Sequence, residues 1–200
     1  MGLIKGQVNS SFWKNKKVFL TGHTGFKGAW LSLWLQSMGA IIKGYSLEPN
    51  TTPNLFTEAC VGKGMESEIG DIRDLNQISK SMLDFNPDVL IHMAAQPLVI
   101  YSYENPIETY STNVMGTVNV LESARKCSNL KSIISVTTDK CYENKEWDWG
   151  YRESEPMGGH DPYSSSKGCA ELVTSAYRRS FFSSKNTASL ASARAGNVIG

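Results

Sequence analysis

The stretch KVFLTGHTGFKG, residues 17–28, decides the fold of this chain. It predicts a short strand over residues 17–20 that leads into glycines at positions 22, 25 and 28, where a helix begins. Glycine permits a tight turn and a close backbone approach to a ligand, and the free amides at a helix N-terminus attract a pyrophosphate. We therefore expect a dinucleotide-binding turn here. The alternative is that the three glycines serve the turn only.

Outward from this turn, short apolar segments alternate with longer segments of helical period. Further strands are expected at residues 41–47, 88–93, 131–136 and 187–194, and a short strand within residues 62–72 is expected to end near residue 69. Helices are expected at residues 74–85, 106–126 and 163–182, and after the glycine turn in a segment whose apolar face holds Trp30, Leu31, Trp34, Leu35 and Met38. Residues 143–161 have no period and indicate a long functional loop. The alternation predicts an α/β fold, a doubly wound parallel sheet of the Rossmann type, in one dinucleotide-binding domain over residues 1–200.

The composition argues against several classes of function. With 20 Lys+Arg against 19 Asp+Glu the net charge is +1, so no excess of charge points to nucleic acid or to an anionic membrane. No stretch approaches the roughly 20 consecutive apolar residues that span a bilayer. The 4 cysteines lie far apart without metal-binding spacing, which predicts reduced thiols and no bound metal. The polar start of the sequence lacks an apolar signal core, and together with the lack of a membrane span this predicts a cytoplasmic location.

The end of the second predicted strand bears on the choice of cofactor. An acidic residue that binds the adenosine ribose is expected there, but Ser46 is among the best-aligned residues and only Glu48 is acidic. No clear Arg is present to meet a ribose phosphate, which favours NAD over NADP. Asp71, in the sequence GDI at residues 70–72, lies at the end of the third predicted strand. Its carboxylate could accept a hydrogen bond from the adenine amino group or could cap the next helix.

Tyr163 and Lys167, in the sequence YSSSK, stand one turn apart on the same face of a predicted helix. A neighbouring cation stabilises a phenolate, so Tyr163 could exchange a proton with a substrate hydroxyl near neutral pH. The pair is weak evidence by itself and gains weight from the glycine turn.

Several segments, in this order, resemble the extended short-chain dehydrogenase/reductase family over nearly the whole chain. They are TGHTGFKG at residues 21–28, HMAAQ at 92–96, NVMGT at 113–117, TTD at 137–139, and Tyr163 with Lys167. Within that family the chain is similar to nucleotide-sugar 4,6-dehydratases. The segments TDKCY at 138–142 and GHTGFKG at 22–28 are most similar to the CDP-glucose branch.

The resemblance implies a redox-neutral elimination on a nucleotide sugar, CDP-glucose, with NAD as cofactor. Tyr163, assisted by Lys167 and Thr138, would take the proton of the C4 hydroxyl while hydride leaves C4. Lys140 would remove the C5 proton, which the C4 ketone has made acidic. Asp139 would act as the acid that helps the C6 hydroxyl leave as water, and the hydride returns to C6. The product would be a 4-keto-6-deoxy sugar nucleotide for surface polysaccharide.

The resemblance also implies a set of binding residues. Cofactor contacts are expected from Gly22, Thr24, Gly25, Phe26, Lys27, Gly28, Ser46, Asp71, Ile72, Ala94, Ala95, Gln96, Asn113, Thr137, Tyr163 and Lys167. Substrate contacts are expected from Gln96, Thr138 and Asn197.

Simpler alternatives remain for four of these residues. Lys140 could pair with Asp139 or point to water, and Asp139 could be a turn or cap residue. Asn113 could be a polar contact between helix and loop, whereas the resemblance implies that it orders the Tyr163 helix through water. Asn197 could belong to a plain turn.

Two further functions remain open. A nucleotide-sugar 4-epimerase needs Thr138, Tyr163 and Lys167 but not Asp139 or Lys140, and a catalytically silent NAD-binding module needs none of them. Relatives continue beyond Gly200 into a smaller sugar-nucleotide lobe, so we expect that this lobe is largely absent here and that the chain by itself turns over poorly. A homodimer is expected through the helices at residues 106–126 and 163–182.

Overall fold

A computed structural model describes residues 8–198, and six parallel strands form its single sheet. The strand order is β3-β2-β1-β4-β5-β6, which confirms the doubly wound sheet. The strands are β1 (Lys17–Thr21), β2 (Ile41–Ser46), β3 (Glu66–Ile69), β4 (Val89–His92), β5 (Ser132–Thr138) and β6 (Ser189–Ala195). The single domain over residues 1–200 stays a prediction, and positions 1–7 and 199–200 lie outside the described residues.

Helices cover both faces of the sheet. They are α1 (Ser10–Trp13), α2 (Phe26–Ser37), α3 (Leu55–Glu58), α4 (Leu75–Phe85), α5 (Val99–Glu104), α6 (Pro106–Tyr110), α7 (Gly116–Ala124) and α8 (Pro162–Ser180). Because successive side chains of a strand point to opposite faces, Val18 and Leu20 join the core under α2, while Phe19 joins the core under α4 and α7. None of the helices within residues 8–198 is long and apolar enough to cross a lipid bilayer.

The predicted apolar face of α2 differs from the buried one. Trp30 and Trp34 are 48% and 52% exposed, whereas Gly28, Ala29 and Ser32 are buried with Leu35. The helix lies close to the glycine turn, so small side chains must face the sheet and the indoles are displaced outward.

The predicted helix at residues 106–126 is present as α6, a π-helical turn over Ser111–Met115, and α7. The short helices α1, α3 and α5 were not predicted, because each is too short to show a period. Residues 143–161 form the predicted loop, which one bridge between Tyr142 and Met157 ties at its base.

Candidate active site

A cavity of about 850 Å³ lies at the carboxyl ends of the strands, where β2 and β4 diverge on either side of β1. This reversal of strand order is where doubly wound sheets bind ligands. Its walls are the glycine turn, the ends of β2, β4 and β5, and the start of α8.

The glycine turn forms one wall from backbone atoms. Gly22 has φ +79°, and a methyl group on Gly28 would overlap the Gly22 carbonyl oxygen, so both positions require glycine. Gly25 is the N-cap residue of α2 and has no side chain that could accept a hydrogen bond. The first amides of the helix, which lie at the cavity, therefore have no side-chain acceptor from the cap. The turn residues Gly22, Thr24, Gly25, Phe26, Lys27 and Gly28 all line the cavity.

The end of β2 is bonded back to this turn. The Thr24 hydroxyl donates to the Leu47 carbonyl oxygen at 2.8 Å and lies 2.9 Å from the Ser46 hydroxyl. Ser46, in the position predicted for a ribose contact, and Glu48 both line the cavity.

Asp71 and Ile72 line the cavity after β3. The Asp71 carboxylate accepts hydrogen bonds from the Arg73 amide and guanidinium at 2.5 to 2.8 Å. Burial opposes ionisation of Asp71, but these bonds outweigh it and lower the pKa of the carboxyl. The alternative that Asp71 caps the next helix is wrong, because the cap of α4 is Asp74.

Tyr163 and Lys167 lie in the first two turns of α8 and both line the cavity. The helix begins where the Asp161 side chain accepts from the Ser164 amide at 2.9 Å. Burial, followed by the positive charge of Lys27, lowers the pKa of Lys167 to about 8. Burial raises the pKa of Tyr163, which a hydrogen bond with Thr138 only partly offsets. The sequence analysis considered only the cation that stabilises the phenolate, whereas in the structure the effect of burial on the pKa of Tyr163 is the largest.

Thr138, Asp139 and Lys140 follow one another where β5 ends in a short 3₁₀ turn, Asp139–Cys141. Thr138 and Lys140 line the cavity, whereas Asp139 lines a neighbouring one with Glu171 and Arg194. The Lys140 Nζ atom is 3.8 Å from an Asp139 carboxylate oxygen, and both side chains are half exposed. The structure therefore brings Lys140 to the cavity and places the Asp139 side chain outside it.

Two further predicted contacts are placed differently. Gln96 is buried with its amide bonded to Leu98 and Thr109, so its side chain does not line the cavity. Asn113 also lies behind the wall, where its side chain donates to the Ser166 hydroxyl of α8 at 2.8 Å. The resemblance implied a water in this position. Ala94, Ala95, Thr137 and Asn197 line the cavity, and their contacts with cofactor or substrate stay a prediction.

The sequence did not single out several cavity residues. The loop after β2 contributes Pro49, Asn50, Thr51, Pro53 and Asn54, and Pro97, Val99 and Thr112 line the opposite side. Residues 49–53 are rich in Thr, Asn and Pro, a composition that indicates a loop but not its position at the cavity.

The charged pair of Glu171 and Arg194 was also missed. Glu171 accepts hydrogen bonds from Thr137, Ser192 and Arg194, and Arg194 donates to the Tyr142 hydroxyl and the Glu153 carbonyl. This pair joins α8 to the ends of β5 and β6 and to the long loop. The one signal in the sequence is that Glu171 stands four residues after Lys167, which places it on the same face of the predicted helix.

Comparisons with known proteins agree with this architecture. The family model described as GDP-mannose 4,6 dehydratase matches residues 19–191. A CDP-glucose 4,6-dehydratase of Salmonella typhimurium is 60% identical over 197 residues, which cover 96% of this chain and 55% of that protein. The chain thus spans about half the length of the curated relatives it matches.

Solved structures show the same fold. The UDP-glucose 4-epimerase of Thermus thermophilus in complex with NAD has a TM-score of 0.71 at 26% identity, covering 83% of this chain and 52% of that one. A dTDP-glucose 4,6-dehydratase from Streptomyces venezuelae with NAD bound has a TM-score of 0.71 at 24% identity, covering 82% and 52%. Since the family model spans most of the sheet and both walls of the cavity, the chain belongs to the GDP-mannose 4,6 dehydratase family of extended short-chain dehydrogenases/reductases.

Proposed function

We propose that this chain is the cofactor-binding part of an NAD-dependent nucleotide-sugar 4,6-dehydratase that acts on CDP-glucose. The observation that carries the proposal is a single cavity lined both by the glycine turn that leads into α2, which has no side-chain cap, and by Thr138, Lys140, Tyr163 and Lys167. The 60% identity to a CDP-glucose 4,6-dehydratase supports the choice of reaction and of nucleotide.

The residues present fit NAD. The uncapped amides at the start of α2, with the positive end of the helix dipole, suit a pyrophosphate. At the far rim Glu48 would repel a ribose phosphate, which favours NAD over NADP. When bound, NAD would supply an acceptor for the hydride of C4 and its later donor to C6.

Tyr163 would move the proton of the C4 hydroxyl. Its burial raises the pKa of the phenol, so the neutral hydroxyl dominates at pH 7 and needs help to lose its proton. Thr138 beside the phenol and the ammonium of Lys167 on the same wall would stabilise the phenolate as it forms.

Lys140 would hold the C5 proton during elimination, since its side chain reaches the cavity. Asp139 in its protonated form would donate a proton to the leaving C6 hydroxyl, for which its side chain must turn from the neighbouring cavity. Rotation about the side chain of a half-exposed residue is a small change.

The position of Asp139 favours a second candidate, a nucleotide-sugar 4-epimerase, which does not need that residue. The fold similarity to a UDP-glucose 4-epimerase points in the same direction. Proton abstraction at C5 separates the two reactions, because an epimerase leaves the C5 hydrogen in place.

The test is incubation of the whole protein with CDP-glucose in heavy water. A dehydratase yields a 4-keto-6-deoxy sugar nucleotide with deuterium at C5, which is the expected result. An unlabelled 4-epimer would replace the proposal by the second candidate. Retention of NAD without any turnover would contradict both and indicate a silent binding module.

A matched pair of variants tests the role of Lys140. Lys140→Met removes the amine at the cavity, and Lys145→Met removes one from the exposed loop. We expect Lys140→Met to slow elimination by about 10²-fold or more, the usual contribution of a general base, and Lys145→Met to leave the rate unchanged. Equal rates in the two variants would remove Lys140 from the reaction.

A homodimer, a cytoplasmic location and a role in supplying deoxysugars for lipopolysaccharide O-antigen are further parts of the proposal. Exposed apolar side chains on α5, α6 and α8 support the dimer, among them Ile100 at 79%, Ile107 at 85% and Leu172 at 60%. The 4 cysteines are free thiols, which fits a reducing compartment.

A further inference from the structure

A buried chain of hydrogen bonds begins at Thr21, the last residue of β1 before the glycine turn. The Thr21 hydroxyl oxygen accepts from the backbone amides of Met93 and Ala94, each at 3.1 Å, and the Met93 amide is shared with the Thr21 carbonyl oxygen at 3.2 Å. Both lone pairs of the hydroxyl oxygen are then occupied, so its own hydrogen must be donated. The partner is the Nδ1 atom of His92 at 2.7 Å.

This bond decides the tautomer of His92. Since Nδ1 accepts, the ring proton is on Nε2, which lies 3.1 Å from the Thr117 hydroxyl oxygen and donates to it. Thr117 in turn donates to the Asn113 carbonyl oxygen at 2.7 Å. A proton on Nδ1 would give Thr21 three incoming donors and leave its own hydrogen without an acceptor.

The chain continues from the π-helical turn to α8. The Asn113 side chain accepts from the Gln96 amide at 2.8 Å and donates to the Ser166 hydroxyl at 2.8 Å. Ser166 donates to the Tyr163 carbonyl oxygen at 2.7 Å. Buried hydrogen bonds therefore run from the residue before the glycine turn to the residue that carries the phenol.

The surroundings of His92 keep the ring neutral. Burial, followed by the positive charge of Lys167, lowers the pKa of His92 to about 3. The imidazole is 3% exposed, and the groups bonded to it are hydroxyls. It therefore neither supplies nor takes a proton at neutral pH.

We propose that His92 is a positioning residue that fixes the phosphate-binding turn and the Tyr163–Lys167 helix relative to each other. It does so as the Nε2–H tautomer, which joins the two halves of this chain of hydrogen bonds. The proposal rests on the proposed function only in taking Tyr163 as the reacting phenol. The imidazole can join the two hydroxyls because its nitrogens point in opposite directions, one as acceptor and one as donor.

The first test is the ¹⁵N NMR spectrum of the histidine rings in the 200-residue chain. We expect His92 to show a protonated Nε2 and an unprotonated Nδ1 at every pH from 5 to 9. A proton on Nδ1, or a change of protonation within this range, would overturn the proposal. This result does not depend on any catalytic activity.

The second test compares two variants on the same helix. Thr117→Val and Ser123→Ala each remove a buried hydroxyl of α7 that donates to the carbonyl four residues earlier. Only the Thr117 hydroxyl belongs to the chain of hydrogen bonds through His92. We expect Thr117→Val to speed hydrogen exchange of the Gln96 amide by about tenfold, the effect of one lost buried hydrogen bond. In Ser123→Ala this exchange should stay unchanged, with the core amide of Ile133 as internal reference. Equal effects of the two variants on Gln96 would contradict the proposal.

The same variants in the whole protein give the kinetic consequence. A displaced Tyr163 should lower kcat about tenfold in Thr117→Val with little change in KM, while Ser123→Ala keeps both. If the whole protein shows no dehydratase activity, the proposed function fails, and the NMR and exchange results still decide the role of His92. A fall in kcat shared by both variants would reduce Thr117 to a purely structural residue.

Discussion

The two walls of the cavity are built from different atoms. The wall at the start of α2 consists of backbone amides and of glycines whose missing side chains allow the close approach. The wall at α8 consists of the side chains of Tyr163 and Lys167. Buried hydrogen bonds tie this helix to its neighbours, from Asn113 to Ser166 and from Thr137 to Glu171.

This difference determines how each wall responds to substitution. A backbone wall has no freedom to relax, so one methyl group in the wrong place displaces the main chain. A side-chain wall loses its function in steps, because each supporting hydrogen bond contributes separately.

The largest effect is expected at the backbone wall. A methyl group on Gly28 would overlap the Gly22 carbonyl oxygen, so Gly28→Ala should lower the free energy of unfolding by more than about 4 kcal/mol or prevent folding. The control is Gly25→Ala, whose methyl would meet only the Gly22 oxygen at 3.5 Å. It should cost less than about 1 kcal/mol while weakening NAD binding. Urea denaturation measures the stability of the two variants, and titration with NAD measures their affinity for the cofactor. Equal stability of the two variants would contradict this account.

A smaller loss is expected behind the side-chain wall. Glu171→Ala leaves Arg194, whose side chain is 17% exposed, without its carboxylate. Removing one partner of a buried pair costs about 3 to 5 kcal/mol. The control is Glu122→Ala, which breaks the exposed pair with Arg125 and should cost less than about 1 kcal/mol. Thermal unfolding compares them, and a cost of Glu171→Ala no greater than that of the control would show that Arg194 finds water instead.

The third effect is a gain of stability. Because burial lowers the pKa of Lys167 from 10.5 to about 8, the charged amine opposes folding, and Lys167→Met should stabilise the chain at pH 7 by up to about 3 kcal/mol. Between pH 8 and 10.5 the unfolded chain binds more protons, so wild-type stability rises and the advantage of the variant shrinks. Lys140→Met, at an exposed site, should change stability by less than about 0.5 kcal/mol.

Urea denaturation of both lysine variants at pH 7 and pH 10 measures this effect. A Lys167→Met chain less stable than wild type at pH 7 would show that the ammonium has a stabilising partner. In the whole protein Lys167→Met should lose catalysis, because the ammonium that opposes folding would also be the group that assists Tyr163.

The sequence by itself determined the sheet, the glycine turn and the Tyr163–Lys167 pair. These are local patterns: an apolar strand, glycines spaced by three, and two residues one helical turn apart, whose geometry follows from a few bonds along the chain. It also placed the end of β5 at the cavity through Thr138 and Lys140.

The tertiary structure decided which way the remaining side chains point. Asp139 turns to a neighbouring cavity, Gln96 is enclosed by its own hydrogen bonds, and Trp30 is displaced outward by the close approach of α2 to the turn. The tautomer of His92 depends on Thr21, 71 residues earlier, and on Thr117, 25 residues later. Such orientations result from contacts between distant segments, and no spacing along the chain records them, because each exists only once the strands and helices have packed together.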